Sequence, residues 1–227
     1  MESIVFSPKM GRLKKIYALY EKNLADTHVV CQEKCADCCT CNVVVTRLEA
    51  DLLVQSLDSI QLAGVKQRLE EKFPQKRYIP KMTTNQFAGY CLSGQEMPEE
   101  ENNPDWGKCP FLEADRCTIY PVRPFGCRSM MSQVHCRKTG YAQVPPLALT
   151  VTHVFLQYIE QLDHQGFSGN LSDMLALALD IDLALETFGN FEKKQVCIEN
   201  MKMKVLLVPP EHRVAVGPLL KQMAALT

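Results

Sequence analysis

Neither sign of charge is in excess in this chain: 25 lysines and arginines face 26 aspartates and glutamates, a formal net charge of −1. That balance gives no electrostatic reason to expect a polyanion partner. No basic, aromatic-lined stretch marks a nucleic-acid surface either. Long hydrophobic runs are also missing. No segment approaches the ~18 apolar residues that a membrane span needs. The opening MESIVFSPKMGRLKK has no apolar stretch followed by a small-residue cleavage site, so no secretory signal is expected. There is no GxGxxG, P-loop or GxSxG motif and no zinc-finger pairing of cysteine with histidine. The five histidines are scattered, without HExxH or H-x3-H, which argues against a zinc hydrolase. No internal repeat or low-complexity tract is present.

Cysteine is abundant. There are 11 in 227 residues, an odd number, and they cluster. A chain of this length buries roughly 70–75% of its unfolded surface and has no need of disulfides to hold a core. With a cytoplasmic location expected, structural disulfides are rare, and metal binding becomes the leading reading. Five cysteines fall in CQEKCADCCTC, Cys31 to Cys41. The first group is Cys31-x3-Cys35-x2-Cys38-Cys39. The second is Cys109-Pro-Phe-Leu, Cys117-Thr-Ile-Tyr and Arg123-Pro-Phe-Gly-Cys127-Arg128.

Thiolates are soft, anionic ligands suited to zinc and to iron–sulfur clusters. A C-x2-C turn such as Cys35 to Cys38 lets two sulfurs converge on one centre, a signal shared with redox dithiols. Adjacent side chains point to opposite faces of a strand or about 100° apart on a helix. Cys38 and Cys39 therefore suit two metals, different atoms of a cluster, or one ligand and one supporting thiol. Cys109 precedes Pro110, which fixes the chain just beyond the sulfur. Arg123 and Arg128 can offset the negative charge of such a site or form ordinary surface salt bridges. Cys41, Cys91, Cys136 and Cys197 lack this spacing and read as small buried hydrophobes, although Cys136 has His135 beside it.

Around these motifs the chain reads as mainly α-helical α+β. The stripe Leu13, Ile16, Tyr17, Tyr20, Leu24 predicts a helix over 11–30 that would deliver Cys31 to the buried side. Val43–Val45 suits a strand. Thr46-x-x-Glu49 is a capping box opening a helix to about Leu57, and a further helix is expected from Ser59 to Phe73. Residues 93–108 are a polar, exposed loop in which Glu99–Glu101 form a solvated acidic face. Pro121, Pro124 and Gly126 give a turn-rich wrap. A helical stripe runs from Leu147 through Val151, Val154, Phe155, Tyr158 and Ile159 to Leu162. A second helix is expected from Leu171 to Phe188, capped by Asn170 or Ser172 and stopped at Gly189. Lys204–Val208 reads as a strand, with a short helix after Pro218. The expected organisation is a cysteine-cluster metal-binding domain over 1–145, an irregular core with short strands. A mainly helical extension over 146–227 packs on it.

CQEKCADCC, TRLEADLL and CPFLEADRCTIYPVRPFGCRS, in that order, resemble the bacterial YkgJ-like cysteine-cluster family, the zinc- or iron-chelating "CxxCxxCC" domain, over roughly residues 31–136. The resemblance implicates Cys31, Cys35, Cys38, Cys39, Cys109, Cys117 and Cys127 as ligands. Many members space the first two cysteines by two residues, whereas three separate Cys31 from Cys35 here. A flagellin lysine N-methylase lineage looks related through the same domain and is associated with an iron–sulfur cluster.

Seven thiols exceed the four of one structural zinc. Two zincs want about eight ligands, and one [4Fe–4S] cluster takes four, so the count does not decide. The family association favours an iron–sulfur cluster of the [4Fe–4S] type, with zinc as the alternative. Three functions remain open: a metal-binding module with a redox or structural role, a cluster-dependent protein-modifying enzyme such as a lysine N-methylase, and a zinc-stapled partner-binding module. The last would be favoured by an exposed stripe from Val151 to Leu162. No nucleic-acid or membrane partner is expected, and the sequence identifies no protein partner or substrate. Cys38→Ser or Cys117→Ser is expected to lose metal and stability, and Cys197→Ser neither.

Overall fold

The computed structural model of the chain describes residues 7–24, 28–181 and 196–226. Helix α1 (Pro8–Leu24) buries Met10, Leu13, Ile16, Tyr17 and Tyr20, the stripe expected of it. It ends at Leu24, and residues 28–32 are irregular, so Cys31 is carried by a loop and not by this helix. Strand β1 (Val44–Thr46) leads directly into α2 (Arg47–Gln55), and the Thr46–Glu49 capping box forms as expected. Helix α3 (Ser59–Lys72) has its own box from Asp58 and Gln61. Helix α4 (Thr84–Ser93) has one from Thr83 and Gln86 and was not anticipated.

The main sheet has the order β1-β4-β5, with β4 (Phe167–Asn170) antiparallel to both β1 and β5 (Cys197–Glu199). Gly169 lies opposite Val45 and Cys197. A Cβ there would stand 2.8 Å from both the Val196 carbonyl oxygen and Met174 Cε, so only glycine lets the three strands and the following helix close up. That helix, α8 (Leu171–Ala178), is capped by Asn170, whose oxygen accepts from the Ser172 amide at 3.0 Å. It stops ten residues short of the expected end. Leu179 closes it and Asp180 turns left-handed at φ 53°. The expected stretch from 182 to Phe188, and the Gly189 stop, lie outside the described residues.

Two apolar cores result. In the first, Tyr20 meets Phe125 edge-on at 4.7 Å and Phe155 at 5.0 Å between ring centroids. The rest of this core is drawn mainly from α1, α7 (Pro146–Leu162) and α9 (Arg213–Ala224), with Leu48 and Leu52 of α2 and Met131. Helix α9 starts five residues before Pro218 and contains it, earlier than expected. The second core gathers Val45, Leu53, Leu69, Phe111, Ile119 and Leu175, with Cys109, Cys117 and Cys127 packed against it. Arg77 closes its edge with a paired bond to the Asp173 carboxylate at 2.5 and 2.6 Å. Both side chains are almost wholly buried. Each core takes residues from both sides of position 145.

The expected strand at Lys204–Val208 is instead an extended segment serving the polar side of α7. Gln157 accepts from the Leu207 amide at 2.9 Å and donates to the Val205 carbonyl at 2.8 Å. Glu160 and Gln161 accept from the Met201 and Met203 amides, each at 2.7 Å. Side chains of one helix thus satisfy backbone that a neighbouring strand would otherwise pair. The architecture is mainly helical α+β with short strands. No helix among the described residues is long and apolar enough to cross a membrane.

Candidate metal centre

The two cysteine groups are laced together by backbone. Turns closed by Cys35 N to Gln32 O at 3.0 Å and Cys39 N to Ala36 O at 3.1 Å present the first group, with Lys34 left-handed at φ 75°. The Cys109 amide donates to the Cys39 carbonyl at 3.1 Å and the Cys41 amide to the Gly107 carbonyl at 3.0 Å. An isolated bridge pairs Thr40 with Lys108 between them. Sequence-distant thiols are thereby neighbours.

Each second-group cysteine is pinned by an apolar anchor. Phe111 and Ile119 are fully buried beside Cys109 and Cys117. Cys117 lies on β3 (Arg116–Cys117), paired to β2 (Leu112–Glu113) through a tight turn in which Ala114 and Asp115 both have positive φ. Cys127 lies on α5 (Phe125–Ser129). At Gly126 a Cβ would come within 3.2 Å of Val43 and 3.3 Å of the Val44 carbonyl oxygen, so glycine allows α5 to press on β1 and set Cys127 in place. The start of α5 is held by buried Glu49, which accepts from the Phe125 amide at 2.8 Å and the Tyr17 hydroxyl at 2.7 Å. The turn-rich wrap expected here is therefore a 3-10 turn, Tyr120–Val122, followed by this short helix.

All seven implicated thiols, those of Cys31, Cys35, Cys38, Cys39, Cys109, Cys117 and Cys127, line one cavity of about 280 Å³. Val43, Ile119, Met131 and Leu171 contribute apolar wall. The cysteines are free thiols. Among the described residues no three His, Cys, Asp or Glu side chains form, as they stand, a group that could hold a metal ion. The thiols surround a space.

The electrostatics are those of crowded, dehydrated thiols. Burial pushes Cys109 up to about 12 and raises Cys127 further, with Cys109 and Cys117 opposing the ionisation of Cys127. Interaction between the adjacent Cys38 and Cys39 thiols raises the Cys38 thiol, with burial adding to the shift, and lowers that of Cys39. Cys31 is raised chiefly by burial, with charge on Cys35, Cys38 and Cys136 adding to the shift. Cys39 instead feels Cys109, Cys127 and Cys117. A soft cation reverses this balance by taking the thiolates and releasing their protons.

The two arginines have different tasks. Arg123 stacks on Tyr120 at 3.7 Å, and its charge favours ionisation of Cys117 and Cys127. Arg128 is a structural clamp, paired with Glu21 and donating to the Arg123 and Pro121 carbonyls at 2.8 and 3.0 Å. The acidic run is only partly a solvated face, since Glu100 accepts from the Lys81 amide at 2.7 Å and from the Tyr78 hydroxyl. Of the cysteines without motif spacing, Cys41 is buried and its thiol points to the Lys76 carbonyl at 3.5 Å. Cys197 is buried in β5 and Cys91 is exposed on α4. Cys136 is half-buried at the start of α6 (Cys136–Thr139), a short helix tied to the first group's loop by the pair of Arg137 with Asp37 at 2.7 Å.

The model of a family described as "putative zinc- or iron-chelating domain", CxxCxxCC, matches residues 30–146, just over half of the chain and spanning every thiol of the cavity. No curated protein and no solved structure matches the chain.

Proposed function

This chain belongs to the CxxCxxCC family of zinc- or iron-chelating domains, and from that premise we propose that it is a metal-binding protein whose thiolates carry an iron–sulfur cluster. The observation that carries this reading is the cavity of about 280 Å³ ringed by seven thiols. A cluster occupies a volume and takes a cysteine at each of its irons, whereas one zinc needs only four donors at a point. The donor set is also right, since soft thiolates suit iron–sulfur clusters. When bound, such a cluster supplies one-electron redox chemistry or a rigid cross-link. The residues of the chain shape either role. The apolar wall limits water, which tunes a cluster's potential, and Arg123 offsets thiolate charge.

The partner-docking alternative loses its supporting observation. Val154, Phe155, Tyr158, Ile159 and Leu162 are buried in the first core and are not an exposed stripe.

The test is elemental analysis with an absorption spectrum on protein purified without oxygen. Iron with acid-labile sulfide and a broad visible band is the expected result, followed by bleaching with dithionite if the cluster is redox-active. Colourless protein with stoichiometric zinc would replace the cluster by a structural zinc site. Protein without either metal, before and after reconstitution, would overturn metal binding itself.

A further inference from the structure

Two arginines line the cysteine cavity, and only one of them has a carboxylate. Arg128 is paired with Glu21. The Arg123 guanidinium lies on the Tyr120 ring at 3.7 Å, and its Nη1 donates to the Tyr120 carbonyl at 3.0 Å. Among the described residues no carboxylate comes within ion-pair distance of Arg123, and its Nε and Nη2 donate to none of them. A guanidinium fixed in orientation, with one edge of donors unused among these residues, has the shape that takes a carboxylate in a bidentate pair. The same cavity has an apolar rim. Leu24, Val29 and Met130 line it, and Val29 and Met130 remain 37% and 36% exposed. The fold stitches their three segments together. Leu24 follows Glu21 by three residues on α1, and Arg128 joins Glu21 to the Arg123 carbonyl, the latter at 2.8 Å. The Val30 amide donates to the Ser132 carbonyl at 2.9 Å, which lays the backbone at Val29 alongside the Met130–Met131 stretch. Apolar side chains at the open end of a cavity, with one fixed charged group among them, are the make-up of a small-molecule site.

We propose that this end of the cavity binds a short organic carboxylate beside the metal centre, its carboxylate on the free edge of Arg123 and its apolar chain against Leu24, Val29 and Met130. The inference rests on the metal-binding reading above only for what stands next to the ligand. Volume limits the chain. The cavity measures about 280 Å³, near the lower bound of about 300 Å³ for ligand pockets, and the metal centre takes part of it. The ligand is therefore a few carbons long, and neither a long-chain fatty acid nor a folded peptide fits. Charge fixes where the head group lies. A thiolate-rich centre repels an anion elsewhere in the cavity, which confines the carboxylate to the arginine. Glu21 does not compete for that position, because Arg128 already engages it.

The test is an NMR titration of the whole protein after anaerobic reconstitution, with isotope-labelled methionine methyls and with hexanoate, hexanol and hexylamine as probes. The Met130 methyl signal, identified as the one missing from Met130→Leu, should shift and saturate with hexanoate. Hexanol has the same chain without the charge and should need about ten to a hundred times the concentration, the range that a charge-assisted pair supplies. Hexylamine should bind no better than hexanol. Arg123→Gln should bring hexanoate and hexanol together, with metal content by elemental analysis unchanged. Arg123→Lys keeps the charge without the fork and should restore only part of the preference. Hexanoate that binds wild type no tighter than hexanol, or that leaves Met130 unmoved, would overturn the site and leave the metal reading standing. That comparison needs no variant to fold. A preference that survives Arg123→Gln would overturn the assignment of the head group to Arg123. A wild-type chain that takes up no metal yet favours hexanoate at Met130 would overturn the metal reading and leave the carboxylate site standing.

Discussion

Asp163 lies buried at the end of α7, and its carboxyl is pushed up from 3.8 to about 6, mainly by loss of hydration. The Leu48 amide, donating to Oδ2 at 3.3 Å, works against the shift, and Glu49 and Asp51 reinforce it. Between these pH values the folded chain holds a proton that the unfolded chain has released. The contribution is therefore complete below the unfolded value and is lost as pH rises through about 6. It is on the order of 2 kcal/mol. Asp163→Asn keeps an oxygen for the Leu48 amide but has no proton to lose. Its stability relative to wild type should rise from pH 4 to pH 7 in urea melts at each pH; parallel curves would mean that Asp163 is ionised in the fold. Burial also revises one expectation. Cys197→Ser should keep its metal, as its sequence position implies, but it places a hydroxyl in an apolar core and should cost about 1–2 kcal/mol. At this scale the seven motif thiols were legible because spacing and flanking prolines announce them. The tie of the Ser132–Arg137 segment to the first group's loop was not, because it is made by an ion pair and a loop hydrogen bond between residues about a hundred positions apart.

Helix α2 shows how one element governs the site. Its capping glutamate, Glu49, accepts from the Thr46 amide at 2.9 Å with one oxygen and holds the start of α5 with the other. Every neighbour of this buried carboxylate is a donor. Glu49→Gln therefore sets an amide NH2 against donors on one side and should cost about 1–3 kcal/mol. If the amide faces Phe125, α5 loosens and Cys127 with it, so retained metal should fall as well. Thr46→Ala removes only the cap hydroxyl and should cost about 1 kcal/mol with metal content unchanged. Equal loss of stability in both variants without a change in metal would mean that the packing of Phe125 alone fixes α5. The capping box was legible from Thr46-x-x-Glu49, whereas the reach to α5 was not, since it depends on tertiary placement. The same box at Thr83-x-x-Gln86 carried a readable signal for α4. Lys204–Val208 misled because its β-branched and apolar residues look like a strand, while Gln157, Glu160 and Gln161 supply the partners that a strand would need.

Over the whole molecule, the sheet is built without the cysteine loops, which enter the two cores only through Phe111, Ile119, Phe125 and Met131 and the thiols packed beside them. Strand β1 pairs with β4, more than a hundred residues away, a register that hydrophobic periodicity alone does not specify because three-residue strands carry almost no pattern. The loops over 28–41 and 107–136 rest on this frame through a few backbone bonds and the anchors Phe111, Ile119 and Phe125. Bound metal adds cross-links between them, and ligation energy acts as folding energy for the segments it joins. Loss of metal should therefore open the loops before the frame. Hydrogen exchange on chelator-treated protein should show faster exchange in 28–41 and 107–119, with α7, α2 and β4 keeping most of their protection, because subglobal openings follow local packing. The melting temperature should also drop. Uniform loss of protection would show that the frame cannot stand without the centre, making metal a condition of folding for the whole chain. Retained protection in the frame would instead make the thiol loops a metal-closed cover on a self-supporting fold, so that gain and loss of metal change the cavity surface and leave the sheet and the long helices intact.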